Sequence, residues 1–152
     1  MRGCLSVLKS VKKDIEVSAQ WKDIRAPTGD VVIVEDDPVL LPLMVEMLSE
    51  VRARIVAFET ADGALNHLTE GSSYCSLLIA DHGVPGKLSG TQLAALFRAK
   101  WPKSAVIVTS GYELAHATLP EGVVYLQKPW AGGQLVDIVV RLLQPGIAFQ
   151  RD

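Results

Sequence analysis

Apolar residues in this chain fall into short runs that alternate with segments of helical periodicity. Runs of four or five apolar residues bounded by loop residues are typical of strands buried in a parallel sheet. Five strands are predicted, at 31–34, 54–58, 77–80, 105–108 and 123–126. Five helices are predicted to follow them, at 38–50, 61–68, 90–101, 113–119 and 131–143.

This alternation of strands and helices predicts the fold class. Short apolar strands joined by helical crossovers indicate an α/β fold with helices on both faces of a parallel sheet. Right-handed crossovers restrict the topologies further. The compact arrangement of five strand–helix units is the flavodoxin-like (βα)5 three-layer sandwich, with a five-stranded sheet in the order 2-1-3-4-5. In that order the first and third strands are neighbours, and the residues that follow them emerge side by side.

Acidic residues follow those two neighbouring strands. Glu35, Asp36 and Asp37 come directly after the first strand, and Asp81 comes directly after the third. Several carboxylates at adjacent strand ends repel each other unless a cation neutralises them, and Mg²⁺ prefers oxygen ligands of this kind. We therefore expect a Mg²⁺ site in which Asp36 and Asp81 are direct ligands and Glu35 acts through a bound water.

The same strand edge carries groups suited to phosphoryl transfer. Aspartate carboxylates that form an acyl phosphate are a known class of nucleophile, and Asp81 is the candidate here. Transfer of a phosphoryl group depends on positioning and on neutralising its oxygens. Lys128, in a Lys-Pro turn after the fifth strand, is predicted to meet one oxygen, and the Thr109 hydroxyl after the fourth strand is predicted to donate to another.

Composition and charge narrow the class of protein. The chain has 152 residues, of which 49% are hydrophobic and 21% charged, as is ordinary for a single globular domain. A formal net charge of −2 gives no indication of nucleic-acid binding. Cys4 and Cys75 form no metal or redox motif, which favours a reduced, cytoplasmic protein. No apolar run approaches the roughly 18 residues of a membrane span.

Four segments together resemble the receiver domains of two-component response regulators. They are VVIVEDDP at 31–38, LLIADHGVPG at 77–86, VIVTSGY at 106–112 and YLQKPW at 125–130, within a match that covers about 30–143. The resemblance implies that a histidine kinase or a phosphotransfer protein phosphorylates Asp81. It also implies slow hydrolysis of that phosphate and no activity as an enzyme on other substrates.

The resemblance assigns further roles at the site. It implies Asp81 as phosphoacceptor, Glu35 and Asp36 as the acidic pair, Gly83 as donor of a backbone carbonyl to the metal, Thr109 as the switch hydroxyl, Lys128 as the family's lysine and Tyr125 as the aromatic switch residue. An aromatic residue at position 125 is equally consistent with simple packing in the core. The chain departs from the common pattern at Ala80 and His82, which flank the acceptor, and in the slightly long loop at 86–90.

The segments outside the match suggest how the chain is organised. Residues 1–29 form a leader with six basic and three acidic residues, and apolar residues at helical spacing indicate a short helix. This leader could join two chains in a homodimer, pack on the body, or be a frayed or unused start. The tail at 144–152 is too short for an output domain, so we expect signalling through contact with an unidentified downstream protein.

Two other functions remain open from the sequence. A pseudo-receiver would serve as an interaction module without phosphorylation, but the complete set of acids, threonine and lysine argues against it. A haloacid-dehalogenase-like phosphatase also uses a strand-end aspartate with Mg²⁺. That class usually has a second aspartate two residues later, where this chain has Gly83.

Overall fold

The computed structural model describes residues 29–51, 53–71, 73–112, 119–131 and 133–143. The strands are β1 (Asp30–Val34), β2 (Arg54–Phe58), β3 (Cys75–Asp81), β4 (Ala105–Ser110) and β5 (Val124–Gln127). The helices are α1 (Leu40–Leu48), which a 3-10 turn (Ser49–Val51) extends, α2 (Ala61–Glu70), α3 (Gly90–Lys100) and α4 (Gln134–Leu143). The leader at 1–28, the tail at 144–152 and the predicted helix at 113–119, apart from Leu119, lie outside the described residues.

The five strands form one parallel sheet in the order β2-β1-β3-β4-β5, which confirms the predicted topology. Successive residues of β1 point to opposite faces. Val31 and Ile33 pack against α1 and α4, whereas Val32 and Val34 pack against α2 and α3. Both faces of the central strands are therefore covered, which explains why these strands are apolar without alternation. No helix in the described ranges has the length and apolar character that crossing a membrane requires.

Side chains cap the starts of two helices. The Thr60 hydroxyl accepts a hydrogen bond from the Gly63 backbone N–H at the start of α2. Ser89 forms a reciprocal capping box with Gln92 at the start of α3. Both contacts satisfy backbone N–H groups that the first turn of a helix leaves without a partner.

Two helices begin later than the sequence predicts. Asp37 Oδ1 accepts hydrogen bonds from the backbone N–H groups of Val39 and Leu40, and this turn delays the start of α1 to Leu40. Before α4, the Gln134 backbone N–H donates to the Ala131 carbonyl oxygen and the Ala131 N–H donates to Gln134 Oε1, so that a separate turn precedes α4 and the helix begins at Gln134. Local capping turns therefore replace the first helical residues in both places.

The register of the sheet determines which residues reach its carboxyl edge together. Val34 pairs with Ala80, Asp81 pairs with Thr109, and Ser110 pairs with Gln127. The residues that end or follow four adjacent strands therefore lie along one line, from Glu35 through Asp81 and Thr109 to Lys128. Open parallel sheets place their functional groups at this edge.

Candidate functional site

Three carboxylates meet at the carboxyl edge of the sheet. Glu35, Asp36 and Asp81 each place one oxygen so that the three oxygens lie within 4.8 Å of one another. Glu35 and Asp81 are buried, with 1% and 7% of their surface exposed, whereas Asp36 is exposed. The register of β1 against β3 causes this convergence. Hard oxygen donors at such distances have the chemistry that a Mg²⁺ ion requires, so the residues fit the expected metal.

Lys128 brings a positive charge to the same cluster. Its Nζ lies 2.6 Å from Glu35 Oε1 and 3.3 Å from Asp81 Oδ1. Its backbone N–H donates to the carbonyl oxygen of Ser110, at 2.8 Å, which fixes the turn after β5. Partial burial lowers the pKa of Lys128, but the hydrogen bond to Glu35 and the charges of Asp81 and Glu35 outweigh it, so the pKa is raised overall. The side chain is therefore a fixed ammonium at neutral pH.

Both oxygens of Glu35 are already engaged. Oε1 accepts from Lys128, and Oε2 accepts a 3.0 Å hydrogen bond from the backbone N–H of Asp37. The neighbouring Asp37 carboxylate caps the start of α1, and hydrogen bonds from the amides of Leu40 and Val39 lower its pKa. Of the acidic residues after β1, Asp36 is thus the one whose carboxylate joins the cluster from the exposed side.

Thr109 lies beside the predicted nucleophile. Its hydroxyl donates a long hydrogen bond, 3.5 Å, to Asp81 Oδ1, and the residue is buried with 1% exposure. Its backbone carbonyl accepts the N–H of His82 at 2.8 Å. Thr109 therefore contacts the strand before it through both its side chain and its backbone, at the point where β3 ends.

Tyr125 does not join the carboxylates. It is half-buried in β5, and its hydroxyl donates a 2.6 Å hydrogen bond to the backbone carbonyl of Tyr112, in the loop after β4. The ring of Tyr112 in turn meets the ring of His82 edge to face, with centroids 5.9 Å apart. We call the loop at 82–89, between Asp81 and α3, the acceptor loop, after the predicted role of Asp81. The structure connects Tyr125 to this loop through Tyr112 and His82, a route that the sequence alone did not indicate.

The loop after Asp81 approaches the carboxylate closely at Gly83. A Cβ atom built on Gly83 would lie 3.7 Å from Asp81 Oδ2, so the backbone of this residue is close to the cluster. His82 turns away from the carboxylates, since its Nδ1 lies 2.7 Å from the Thr91 hydroxyl on α3.

Three supporting residues were missed at the sequence level. Ser110 holds the backbone of Lys128, as described above. Gly90 packs on the backbone of Asp81, where a Cβ atom would collide with the carbonyl group. Asp62 binds the acceptor loop from helix α2. A glycine at the first position of a helix, where most residues have a higher helix propensity, was the one available signal, and it pointed to Gly90.

Comparison with known proteins agrees with this geometry. A CheY-like receiver domain protein of Methanospirillum hungatei is 21% identical, with a TM-score of 0.68, over 77% of this chain and 94% of that chain. The signal receiver domain of an HD domain-containing protein of Pseudomonas fluorescens is 22% identical, with a TM-score of 0.68, over 83% and 100%. These likenesses show the fold.

A third solved structure is somewhat more similar in sequence. It is the response regulator TrrA of Thermotoga maritima in complex with Mg²⁺-BeF, which is 26% identical with a TM-score of 0.64, over 76% of this chain and 99% of that chain. Among curated proteins, no sequence matches. The model of the response regulator receiver domain family matches residues 31–140, almost the whole of the sheet and its helices. The chain therefore belongs to the response regulator receiver domain family.

Proposed function

We propose that this receiver domain accepts a phosphoryl group on Asp81 from a histidine kinase or a phosphotransfer protein and signals by protein contact. One observation carries the proposal. Asp81 Oδ1 lies within 3.3 Å of the Lys128 ammonium and 3.5 Å of the Thr109 hydroxyl, beside two further carboxylates. The nucleophile, the cation and the hydroxyl donor therefore come together around one oxygen atom.

A Mg²⁺ ion is the cofactor that these groups fit. We expect Asp36, Asp81 and the backbone carbonyl of Gly83 to hold it directly, because Asp36 is exposed and Gly83 lies close to Asp81 Oδ2. Glu35, whose two oxygens already accept hydrogen bonds, would act through a bound water. The bound ion would supply positive charge to the incoming phosphoryl oxygens.

The chemical step belongs to the carboxylate of Asp81. One of its oxygens attacks the phosphorus atom, an acyl phosphate bond forms, and the phosphorus–nitrogen bond of a phosphohistidine donor breaks. The electron pair of that bond leaves on the imidazole nitrogen of the donor. Attack of water on the same phosphorus atom later releases inorganic phosphate and restores the carboxylate. The protein is thus a substrate for phosphorylation and also catalyses the slow hydrolysis of its own acyl phosphate.

Lys128 and Thr109 would stabilise the added phosphoryl oxygens. The ammonium of Lys128 already lies between Glu35 and Asp81, and its backbone is held to Ser110. A phosphoryl group on Asp81 would give this ammonium a new partner of higher charge. Thr109, whose present hydrogen bond to Asp81 is long, would gain a stronger one.

The signal is proposed to pass from Thr109 to the surface around β4 and β5. Movement of Thr109 toward the phosphoryl group would change the space beside Tyr125, whose hydroxyl is now tied to Tyr112. A ligand shifts such an equilibrium only as far as it contacts the two states differently, and these contacts would be the difference. An unidentified downstream protein would bind the altered surface, and the receiver module would span residues 30–143.

The test is phosphorylation by a small donor. The purified protein is incubated with Mg²⁺ and phosphoramidate, and its intact mass is measured over time. The expected result is the gain of one phosphoryl group, which Asp81→Asn abolishes. Asp37→Asn is the matched control, because it removes one neighbouring charge but keeps an oxygen that can cap α1; this variant should still gain the group.

Each other outcome contradicts the proposal and favours an alternative. If the wild-type protein gains no mass at any Mg²⁺ concentration, the chain is a pseudo-receiver that serves as an interaction module. If free phosphate is released continuously at enzyme-like rates, the site behaves as a phosphatase. If Asp81→Asn gains the group as readily as the wild type, the acceptor is another residue.

A further inference from the structure

The loop between Asp81 and α3 is fixed at both of its ends. At the start, the His82 N–H donates to the Thr109 carbonyl, at 2.8 Å. At the end, the Gly90 N–H donates to the His82 carbonyl, at 3.3 Å, and Ser89 caps the helix. Gly83 lies in the stretch between these two ends.

The middle of this loop is held from a different element. Asp62 Oδ2, in the first turn of α2, accepts hydrogen bonds from the backbone N–H of Lys87 at 2.9 Å and of Leu88 at 3.4 Å. One carboxylate therefore anchors two consecutive amides that lie 25 and 26 residues further along the chain.

Gly86 is shaped to allow this contact. Its φ is +111°, a conformation that residues with a side chain rarely adopt, and a Cβ atom there would collide with Asp62 Oδ2. Both the positive φ of Gly86 and its lack of a side chain are therefore needed for its close approach to Asp62. The glycine and the carboxylate form one device, which we name the loop anchor and define as Asp62 with Gly86, Lys87 and Leu88.

The Asp62 carboxylate belongs to a helix that packs firmly against the sheet. Helix α2 begins with the Thr60 cap and packs Ala61, Ala64 and Leu68 into the core beside the sheet. An acid in the first turn of a helix is also favoured by the helix dipole. Because α2 packs against the sheet, the loop anchor holds the acceptor loop in a fixed position relative to Asp81, which belongs to the same sheet.

We infer that Asp62 is a positioning residue, which holds the acceptor loop so that the Gly83 carbonyl faces the cation site. This inference rests on the proposed function, since it takes the cation to be bound beside Asp81. Residues that orient metal ligands commonly change metal affinity by about 10–100-fold when removed. The loop anchor should therefore control affinity for Mg²⁺, while the chemistry on Asp81 remains intact once the ion is bound.

The test compares Mg²⁺ binding in three variants by chemical-shift titration of backbone amides. In Asp62→Ala, the dissociation constant for Mg²⁺ should rise about tenfold, and the Lys87 and Leu88 amides should exchange with solvent faster. Asp62→Asn retains an acceptor oxygen and should stay within about twofold of the wild type. Gly86→Ala should resemble Asp62→Ala, and it carries the test if Asp62→Ala does not fold.

Two further measurements separate positioning from charge and from chemistry. Glu70→Ala removes one exposed charge from the same helix and should bind Mg²⁺ as the wild type does. With phosphoramidate, Asp62→Ala should need about tenfold more Mg²⁺ for half-maximal rate but should reach the wild-type rate at saturation. A lower saturating rate with unchanged Mg²⁺ affinity would overturn the inference.

The failures of the inference and of the proposed function look different. If the wild type binds Mg²⁺ and Asp62→Ala binds it equally well, the inference alone is wrong. If Asp62→Asn is as weak as Asp62→Ala, the effect is one of charge and the inference is also wrong. If the wild type itself binds no Mg²⁺, the cation of the proposed function fails and the inference falls with it.

Discussion

The two ends of the sheet differ in how many carboxylates they bring together. At the amino end, the buried Ser104 hydroxyl donates to the Cys75 carbonyl at 2.6 Å and lies 2.8 Å from the Tyr74 hydroxyl. The buried Asp30 has one cation nearby, Arg54, at 3.8 Å. At the carboxyl end, three carboxylates lie together, and the Lys128 ammonium contacts two of them, Glu35 and Asp81.

The difference separates a structural polar cluster from a functional one. At the amino end, neutral hydroxyl and carbonyl groups satisfy each other and the Asp30 carboxylate lies near the Arg54 guanidinium, so these groups need no further partner. Clustered carboxylates with too little positive charge repel each other, so we expect them to lower the free energy of unfolding. Sites that need such an imbalance commonly reduce stability in exchange for function. The carboxyl end is therefore where a cation and a phosphoryl group are expected to bind.

The largest expected effect follows from removing the ammonium. Lys128→Met leaves the buried Glu35 without its 2.6 Å partner, and breaking such a pair typically costs about 3 kcal/mol. The free energy of unfolding, measured by urea denaturation without Mg²⁺, should fall by this amount. Lys103→Met, at an exposed position near the amino end, should change it by less than about 0.5 kcal/mol. Equal effects at the two positions would break the comparison.

A smaller effect is expected at the amino end. Ser104→Ala removes the donor to the buried Cys75 carbonyl, which should lower the free energy of unfolding by about 2 kcal/mol. Mg²⁺ affinity and phosphorylation should not change, because the cluster has no role in binding. Ser49→Ala removes an exposed hydroxyl of similar geometry and should have little effect. Loss of phosphorylation in a folded Ser104→Ala variant would contradict the division between the two ends.

Magnesium should act at the carboxyl end alone. At ten times its dissociation constant, a ligand of the folded state adds about 1.4 kcal/mol to the free energy of unfolding. Asp36→Asn should lose this increment and, by reducing repulsion, should be about 1 kcal/mol more stable than the wild type without Mg²⁺. Thermal denaturation with and without the ion measures both. An Asp36→Asn variant that is less stable without Mg²⁺ would show that the cluster is not repulsive.

The smallest effect concerns alkaline pH. The pKa of Lys128 is raised above its ordinary value of 10.5 in the folded state, so its contribution to stability is complete below that pH. The contribution is lost as the pH rises through the higher pKa of the folded state. The difference in unfolding free energy between wild type and Lys128→Met should therefore narrow as the pH rises above 10.5. A difference that is constant or grows with pH would contradict the ion pair.

The sequence predicted the sheet well because its signals are local. Each strand is a short apolar run, as in Val31 to Val34, and strand order follows from the number of units and the hand of the crossovers. The acidic cluster was predictable from the strand order, because Glu35 follows β1 and Asp81 ends the neighbouring strand β3. The roles of the individual site residues remain predictions until phosphorylation is measured.

What the sequence could not predict depends on distant contacts. The bonds from Asp62 to Lys87 and Leu88 arise only when α2 packs beside the acceptor loop. The late start of α4 depends on a turn in which the Ala131 backbone N–H donates to the Gln134 side chain, a contact that apolar periodicity does not record. Periodicity records which face of an element is buried, but it does not record which neighbour lies against it.

The end of β4 has a consequence for how the domain could move. The carbonyl oxygen of Thr109 accepts a hydrogen bond from the His82 backbone N–H on one side. The carbonyl oxygen of the next residue, Ser110, accepts one from the Lys128 backbone N–H on the other side. Two consecutive carbonyl groups at the end of β4 therefore hold both the acceptor loop and the turn that contains Lys128. Any pull on Thr109 from a modified Asp81 would be shared by both flanks at once, so a single chemical event could rearrange a broad stretch of surface as one piece.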